Sequence, residues 1–155
     1  MRVVLDTNVL VAAFIARAVC SEVFERVIGD HELILSAHTL DEFERVMRDK
    51  LGFDSTRVAR AVALLHRLGR IVEPGPLQAP ICRDKDDDAV LALALSSGAT
   101  CLVTGDDDLL VLKAFEGMPI ITPRAFLTFE PLWSSGSTSA NEGLRKPEGP
   151  ASSRG

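Results

Sequence analysis

The sequence predicts an α/β domain with a mainly parallel central sheet. Short apolar runs bounded by polar or turn residues alternate along the chain with longer segments of helical spacing. Parallel strands need crossover connections and a cover on both faces, which the intervening helices would provide. With 155 residues, of which 46% are hydrophobic, the chain also has enough apolar content for one core.

The elements follow one another in a regular order. Buried strands are predicted for the four apolar runs at 3–5, 33–35, 101–103 and 120–121. Helices are predicted where apolar residues recur at helical spacing, at 9–29, 39–51, 55–68, 87–97 and 109–115. A segment rich in Gly and Pro at 69–80, holding a short extended piece at 71–72, is predicted to connect two helical sections.

The composition changes near the C-terminus. From Pro131 onward Ser, Gly and Pro dominate and apolar residues become rare. Such composition is typical of disordered chains because too little apolar surface can be buried. We therefore predict one domain at 1–130 and a disordered tail at 131–155.

Three observations bear on the compartment. No stretch of about 18 uninterrupted apolar residues occurs, and the first strand leads straight into Asp6, unlike a secretory signal. We therefore expect a cytoplasmic protein with no membrane partner. The odd number and wide spacing of the cysteines fit no disulfide framework or paired metal-thiolate pattern. We expect free, mostly buried thiols at Cys20, Cys82 and Cys101.

The net charge of −5 and the pI near 5.2 argue at first sight against a nucleic-acid partner. The acidity is local, however, because seven of the 22 acidic residues fall within 84–88 and 106–108. A group of basic residues in the middle third could form a rim for a phosphate backbone, although a solvated helix face is the commoner use of such a group. Its members are Arg45, Arg48, Lys50, Arg57, Arg60, Arg67 and Arg70.

Two acids come at the ends of predicted strands. Asp6 directly follows the strand at 3–5, and Asp106 follows the strand at 101–103 after a glycine that permits a tight turn. The carboxyl ends of parallel strands meet at one edge of the sheet, where open α/β sheets bind ligands. We expect the two carboxylates to emerge side by side.

Two more acids lie at predicted helix starts. Asp87 begins one helix, and Glu42 falls in the first turn of another that begins near Thr39. Each has a structural alternative: Thr39 and Glu42 fit a capping box, and Asp87 could cap its own helix. Four acids at the ends of separate elements nevertheless favour a shared site over capping alone.

Such a group of carboxylates suits a hard cation. Close carboxylates repel one another unless a cation binds among them. Magnesium and manganese prefer oxygen ligands and keep waters, one of which can attack a phosphodiester. No Ser-His or Cys-His pair stands out, and we assign no metal role to His38, four residues before Glu42. An EF-hand beginning at Asp84 fails because Ala89 and Leu95 replace the required glycine and glutamate.

Four segments, taken in order and spacing, resemble the PIN-domain family over residues 1–129. They are Val-Leu-Asp6-Thr-Asn-Val-Leu, Leu-Asp-Glu42-Phe, Arg-Asp-Lys-Asp-Asp87-Asp-Ala-Val-Leu-Ala-Leu-Ala and Leu-Val-Thr-Gly-Asp106-Asp-Asp-Leu-Leu. Within that family the chain resembles bacterial PIN proteins that are toxins of toxin–antitoxin systems, related to the VapC ribonucleases. The resemblance implies a three-layer α/β/α fold and hydrolysis of RNA that depends on one or two Mg²⁺ or Mn²⁺ ions.

The resemblance also implies roles for particular residues. The catalytic and metal-binding positions correspond to Asp6, Glu42, Asp87 and Asp106. The supporting positions correspond to Asn8, Thr104, Asp84 and Asp108. Asp87 is chosen as the third acid for its spacing to Leu91 and Ala94, and the adjacent Asp86 and Asp88 remain alternatives.

The resemblance implies that the chain functions as an endoribonuclease toxin. Such a toxin forms a homodimer and is silenced by a cognate antitoxin protein. A housekeeping RNA-processing nuclease or a DNA-directed nuclease on the same scaffold is an alternative. A non-catalytic module that binds RNA or protein is another. Four mutually repelling carboxylates argue against that module, because a dead site has no reason to keep them.

Overall fold

The strands of the protein form one central sheet. The structure is a computed structural model that describes the backbone of residues 1–138 and the side chains of residues 1–130. In chain order the strands are β1 (Arg2–Leu5), β2 (Glu32–Leu35), β3 (Arg70–Ile71), β4 (Cys101–Val103), β5 (Ala114–Phe115) and β6 (Met118–Ile121). The order across the sheet is β3-β2-β1-β4-β6-β5. Neighbouring strands run parallel except β5 and β6, which confirms the predicted mainly parallel sheet.

The described residues also form seven α-helices. They are α1 (Thr7–Phe14), α2 (Ala18–Asp30), α3 (Ala37–Arg45), α4 (Ser55–Leu68), α5 (Lys85–Ser97), α6 (Asp107–Leu110) and α7 (Pro123–Thr138). The predicted strands, and the helices predicted at 55–68 and 87–97, lie within two residues of their expected bounds.

The core lies on both faces of the sheet. On one face, Val4, Ile34 and Leu102 of the three central strands join a buried cluster with the apolar side of α5. The alternate strand residues, which point to the other face, are equally buried. Helices α1, α2 and α3 pack together through Phe14, whose ring centroid lies 5.4 Å from that of Phe24 and 5.2 Å from that of Phe43. The result is the three-layer α/β/α arrangement.

The segment predicted as one helix at 9–29 forms two. Helix α1 ends at Phe14 because Ala16 adopts a left-handed backbone with φ of 64°, and α2 begins at Ala18. The two helices meet at a bend of 104°. No glycine or proline marks this break, so the sequence carries none of the usual signals for it.

Two other predicted helices also differ from the structure. The helix predicted at 39–51 starts earlier, at Ala37, and gives way after Arg45 to a π-helical turn over Val46–Lys50. The segment 109–115 holds only the end of α6, followed by the short strand β5. A two-residue turn at Glu116 and Gly117, both with positive φ, pairs β5 antiparallel with β6.

Further expectations concern the cysteines, the membrane and the tail. All three cysteines are free, but only Cys101 is fully buried. Within the described chain, no single helix is long and apolar enough to cross a membrane; α1 and α2 meet those criteria only as a bent pair. The described residues divide into two units, Met1–Pro123 and a second unit that begins at Arg124.

The predicted boundary at residue 130 falls inside a helix. Helix α7 runs as far as Thr138, so the first part of the predicted tail is helical. The remainder of that tail, 139–155, lies outside the described residues.

Candidate metal-dependent active site

Asp6 and Thr104 lie side by side at the carboxyl edge of the sheet. Strands β1 and β4 are parallel neighbours, and the amide of Asp6 continues their ladder by donating to the carbonyl of Val103 at 2.9 Å. The Thr104 hydroxyl donates to Oδ2 of Asp6 at 2.7 Å, and both side chains are buried. The topology thus fixes the first acid from two adjacent strands.

Thr104 also orders the loop that carries Asp106. Its Oγ1 accepts a hydrogen bond from the amide of Asp106 at 3.0 Å. Asp106 in turn caps the start of α6, where its Oδ1 accepts from the amide of Asp108 at 2.8 Å. One threonine therefore holds both acids that follow the central strands.

Thr7 connects Asp6 to Glu42. The Thr7 amide donates to Oδ1 of Asp6 at 2.8 Å, while its hydroxyl donates to Oε1 of Glu42 at 2.7 Å. Thr7 is the first residue of α1 and is almost fully buried. Sequence reasoning assigned it no role; its position directly after Asp6, at the start of a helix, was the available signal.

Glu42 is not part of a capping box. Helix α3 is capped by Ser36, whose Oγ accepts from the amide of Thr39 at 3.1 Å. Glu42 therefore lies in the second turn rather than the first. The predicted cap, Thr39, is a buried residue inside the helix, which leaves the Glu42 carboxylate free to meet Thr7.

The consecutive acids at the start of α5 point to different partners. Asp86 approaches Nε2 of His38 at 2.9 Å, and Asp88 accepts from the amide of Cys82 at 2.8 Å. Asp87 lies between them and is buried beside Asp106. Of the three candidates for the third acid, Asp87 is the one brought into the group of Asp6 and Asp106.

Burial and mutual repulsion raise the pKa values of the two most buried acids. Loss of solvent, followed by the charge of Asp106, raises the pKa of Asp87 to about 7. Desolvation also raises the pKa of Asp6, although hydrogen bonds from Thr104 and Thr7 act in the opposite direction. The charges of Glu42 and Asp106 raise the Asp6 pKa further, so the carboxylates act on one another as a group. We call Asp6, Glu42, Asp87 and Asp106 the four-acid site.

The donor set fits a hard divalent cation. Oδ2 of Asp87 is buried and has no hydrogen-bond partner among the described residues, so it is available as a ligand. Carboxylate oxygens of Asp87, Asp106 and Asp108 all lie within 4.8 Å of one another. Oxygen-only ligands of this kind suit Mg²⁺ or Mn²⁺, and a bound cation would offset the repulsion that raises the pKa values.

A family model described as the PIN domain matches residues 2–108, more than half of the chain. The chain belongs to the PIN-domain family. Among curated proteins, none matches the sequence.

Solved structures share this PIN fold at low sequence identity. VapBC2 from Rickettsia felis bound to a DNA fragment from their promoter is 14% identical, with a TM-score of 0.58 over 79% of this chain and 98% of the other. VapBC-1 from nontypeable Haemophilus influenzae is 22% identical, with a TM-score of 0.50 over 68% and 87%. VapC20 from Mycobacterium tuberculosis, a sarcin-ricin loop cleaving toxin, is 16% identical, with a TM-score of 0.53 over 76% and 99%.

The residues that the sequence predicts to support the acids occupy different settings. Asp84 caps α5 by accepting from the amide of Asp86 at 2.8 Å. Asp108 contributes to the oxygen group with Asp87, whereas Asn8 is exposed in the first turn of α1. Thr104 thus makes the direct contacts that support the first and last acids.

A second group of possible ligands lies where α3 meets α5. A ring nitrogen of His38 and carboxylate oxygens of Glu42 and Asp86 lie within 4.8 Å of one another. His38 is exposed, and its ring nitrogen already contacts Asp86. His38 and Glu42 lie one turn apart on α3, so the sequence alone makes them neighbours. The packing of α3 near the start of α5 brings Asp86 to them.

The basic residues of the middle third are only partly committed to surface ion pairs. Arg48 contacts Glu44 at 2.9 Å and Asp49 at 3.1 Å, and Arg70 contacts Glu32 at 3.1 Å. All these side chains are exposed, so the pairs add little stability. Both arginines remain accessible to solvent.

Proposed function

We propose that this PIN domain is a metal-dependent endoribonuclease, acting in the cytoplasm as the toxin of a toxin–antitoxin pair. The observation that carries the proposal is the four-acid site, in which a buried oxygen of Asp87 has no hydrogen-bond partner in the described chain. Such an arrangement is costly in a folded protein unless a cation binds there.

The residues of the site divide into ligands and positioning groups. Asp6, Asp87 and Asp106 would supply carboxylate oxygens to the cation. Glu42, on α3, would supply a further carboxylate oxygen from that side of the site. Thr104 and Thr7 hold Asp6 and Glu42 in place through bonds of 2.7 Å. A bound Mg²⁺ or Mn²⁺ would neutralise phosphodiester charge and make a water more acidic for hydrolysis.

The three related structures support the choice of substrate and partner. VapC20 from Mycobacterium tuberculosis is described as a toxin that cleaves the sarcin-ricin loop, which is RNA. The Rickettsia felis and Haemophilus influenzae structures are of VapBC complexes. We accordingly propose RNA as the substrate and a cognate antitoxin protein as the partner. A homodimer is the assembly that the sequence resemblance implies, and we propose it on that ground.

Cleavage of a mixed RNA pool tests the nuclease. Purified protein should cut RNA with Mn²⁺, stop cutting with EDTA, and lose activity in Asp6→Asn. Asparagine keeps the size of the side chain and one carbonyl oxygen for the cap on Thr7, so the fold should survive. Asp49→Asn, which removes a surface carboxylate outside the site, is the matched control and should cut at the wild-type rate.

The outcomes separate the alternatives. Full activity in Asp6→Asn would contradict the proposed site. Preference for DNA over RNA would favour a DNA-directed nuclease. Folded protein that neither cuts RNA nor binds Mn²⁺ would favour a non-catalytic binding module.

The toxin assignment needs its own test in cells. Induced expression in a bacterium should arrest growth with the wild-type chain and not with Asp6→Asn. Normal growth during strong expression of the wild-type chain would count against the toxin function. It would favour a housekeeping nuclease instead.

A further inference from the structure

An arginine contacts the acidic group from its rim. Arg83 directly precedes Asp84, and its Nη2 donates to both carboxylate oxygens of Asp108, at 3.1 and 3.3 Å. The Asp108 carboxylate belongs to the oxygen group formed with Asp87 and Asp106. A cation of the chain thus lies next to the oxygens that would hold the metal.

Most of the Arg83 side chain is available to a ligand. Its side chain is 89% exposed, and the contacts with Asp108 use only one of its nitrogens. A guanidinium has five N–H donors arranged in a planar fork that matches phosphate oxygens. The unused donors can therefore bind an anion while the contact to Asp108 persists.

The backbone around Arg83 is held in place. On one side, the Asp88 carboxylate accepts from the amides of Ile81 and Cys82, at 3.2 and 2.8 Å. On the other side, Asp84 caps α5. An exposed side chain on an anchored backbone can reach a ligand without a large cost in ordering the chain.

The charge of the four-acid site creates a need for such a residue. Carboxylates repel the phosphodiester that a nuclease must bind, and a cation at the rim offsets this repulsion. Arg48 and Arg70 pair with Glu44 and Glu32, which lie outside the oxygen group. Arg83 is paired within that group.

We propose that Arg83 is a substrate-binding residue that holds a phosphate of the RNA at the mouth of the four-acid site. The inference rests on the proposed nuclease function and extends it to a residue outside the acids. Asp108 orients the guanidinium, and the remaining N–H groups bind phosphate oxygens by charge-assisted hydrogen bonds. Arg83 therefore contributes to substrate affinity rather than to metal binding.

Fluorescence anisotropy with a short, labelled, single-stranded RNA of mixed sequence tests this contact. The Asp6→Asn background prevents cleavage, and Mg²⁺ is present throughout. Arg83→Ala should raise the Kd about five- to tenfold and reduce the salt slope of binding by about 0.7, the value for one phosphate contact on a single strand. Arg26→Ala is the control, because Arg26 also sits in an exposed ion pair, with Glu22, but on a helix that carries no site acid.

Two further readouts separate phosphate binding from a structural role. In the otherwise wild-type chain, Arg83→Ala should raise KM for RNA cleavage about five- to tenfold and leave kcat within about twofold. It should bind Mn²⁺ no more weakly than wild type, and Arg83→Lys should recover part of the RNA affinity through its charge. Loss of Mn²⁺ affinity in Arg83→Ala would show that the residue only organises the acids.

The proposal is overturned if Arg83→Ala matches Arg26→Ala in Kd and salt slope. If wild-type protein cuts RNA and Arg83→Ala cuts it with the same KM, the proposal for Arg83 is also rejected. The proposed nuclease function would stand in that case. Wild-type protein that cuts no RNA would reject the proposed function, whereas the anisotropy comparison would still decide whether Arg83 binds a phosphate.

Discussion

Thr104 is the residue on which the geometry of the site depends most. It donates to Asp6 and accepts from the amide of Asp106, so one hydroxyl spans the two acids that follow β1 and β4. The hydroxyl is fully buried and is therefore shielded from bulk solvent. Partners of this kind orient ligands and tune metal sites.

Replacing that hydroxyl gives the first prediction. Thr104→Val keeps the shape but leaves Oδ2 of Asp6 buried without its donor, which should lower the free energy of unfolding by about 1–3 kcal/mol. Mn²⁺ affinity should fall about 10- to 100-fold, measured by calorimetry. Thr104→Ser retains the hydroxyl and should behave like wild type. Wild-type metal affinity in the valine variant would show that Thr104 does not position Asp6.

Asp87 makes the stability of the metal-free protein depend on pH. Its pKa in the folded protein is raised to about 7, whereas an aspartate in an unfolded chain titrates near 3.9. Between these values the folded state binds a proton that the unfolded state does not. The free energy of unfolding therefore rises as the pH falls through this window and is lowest above pH 7.

Thermal unfolding in EDTA tests this dependence. The melting temperature should increase as the pH is lowered from about 7.5 to about 5.5, and Asp87→Asn should flatten the curve because it removes the titrating group. Asp49→Asn should keep the wild-type slope. A melting temperature that falls with pH in wild type, or an unchanged slope in Asp87→Asn, would contradict the assigned cause.

At the scale of elements, the start of α5 shows what periodicity can predict. Successive residues of a helix differ by about 100° in direction, so three consecutive aspartates cannot share one partner. Asp87 lies on the same side as the buried Leu91 and Ala94, at spacings of four and seven. That spacing is why the sequence selects Asp87, whereas the partners of Asp86 and Asp88 emerge only in the folded chain.

The start of α3 shows where local patterns mislead. Thr39 and Glu42 have the spacing of a capping box, but Ser36 also precedes an amphipathic helix and is the residue that caps it. Both Ser36 and Thr39 are residue types that are preferred at a helix N-cap. The choice between them depends on where β2 ends, at Leu35, which places Ser36 at the turn into the helix.

Paired substitutions on α3 distinguish these two caps. Ser36→Ala should lower the free energy of unfolding by about 1 kcal/mol, since the amide of Thr39 loses its acceptor. Glu42→Gln should be at least as stable as wild type in EDTA, because it removes a charge that repels Asp6. Urea denaturation measures both. A clear loss of stability in Glu42→Gln would restore the capping-box interpretation.

At the scale of the whole molecule, the parallel topology is what gathers the site. Strands β1 and β4 are neighbours although about a hundred residues separate them, so Asp6 and Asp106 meet at one edge. Alternation of strands and helices is enough to predict this convergence. The contact between Asp6 and Thr104 follows from the order of strands, because β1 and β4 are adjacent in the sheet.

Other parts of the molecule could not be predicted from the sequence. The link from Thr7 to Glu42 depends on how α1 crosses α3. The bend at Ala16 between α1 and α2 is marked by no glycine or proline. The approach of His38 to Asp86 likewise depends on the packing of α3 against the start of α5. These contacts join residues 35 and 48 positions apart, beyond the reach of local patterns.

The central claim is tested most directly by a Mn²⁺ titration of RNA cleavage. The cleavage rates of wild type and Asp87→Asn are compared at equal concentrations of folded protein. Asp87 supplies the buried oxygen without a partner, so its replacement should remove a ligand while preserving the shape of the site. Wild type should cut only with Mn²⁺, and the variant should be slower by at least about 100-fold. Equal rates in the two proteins, or wild-type cutting that persists in EDTA, would contradict a metal-dependent nuclease built on these carboxylates.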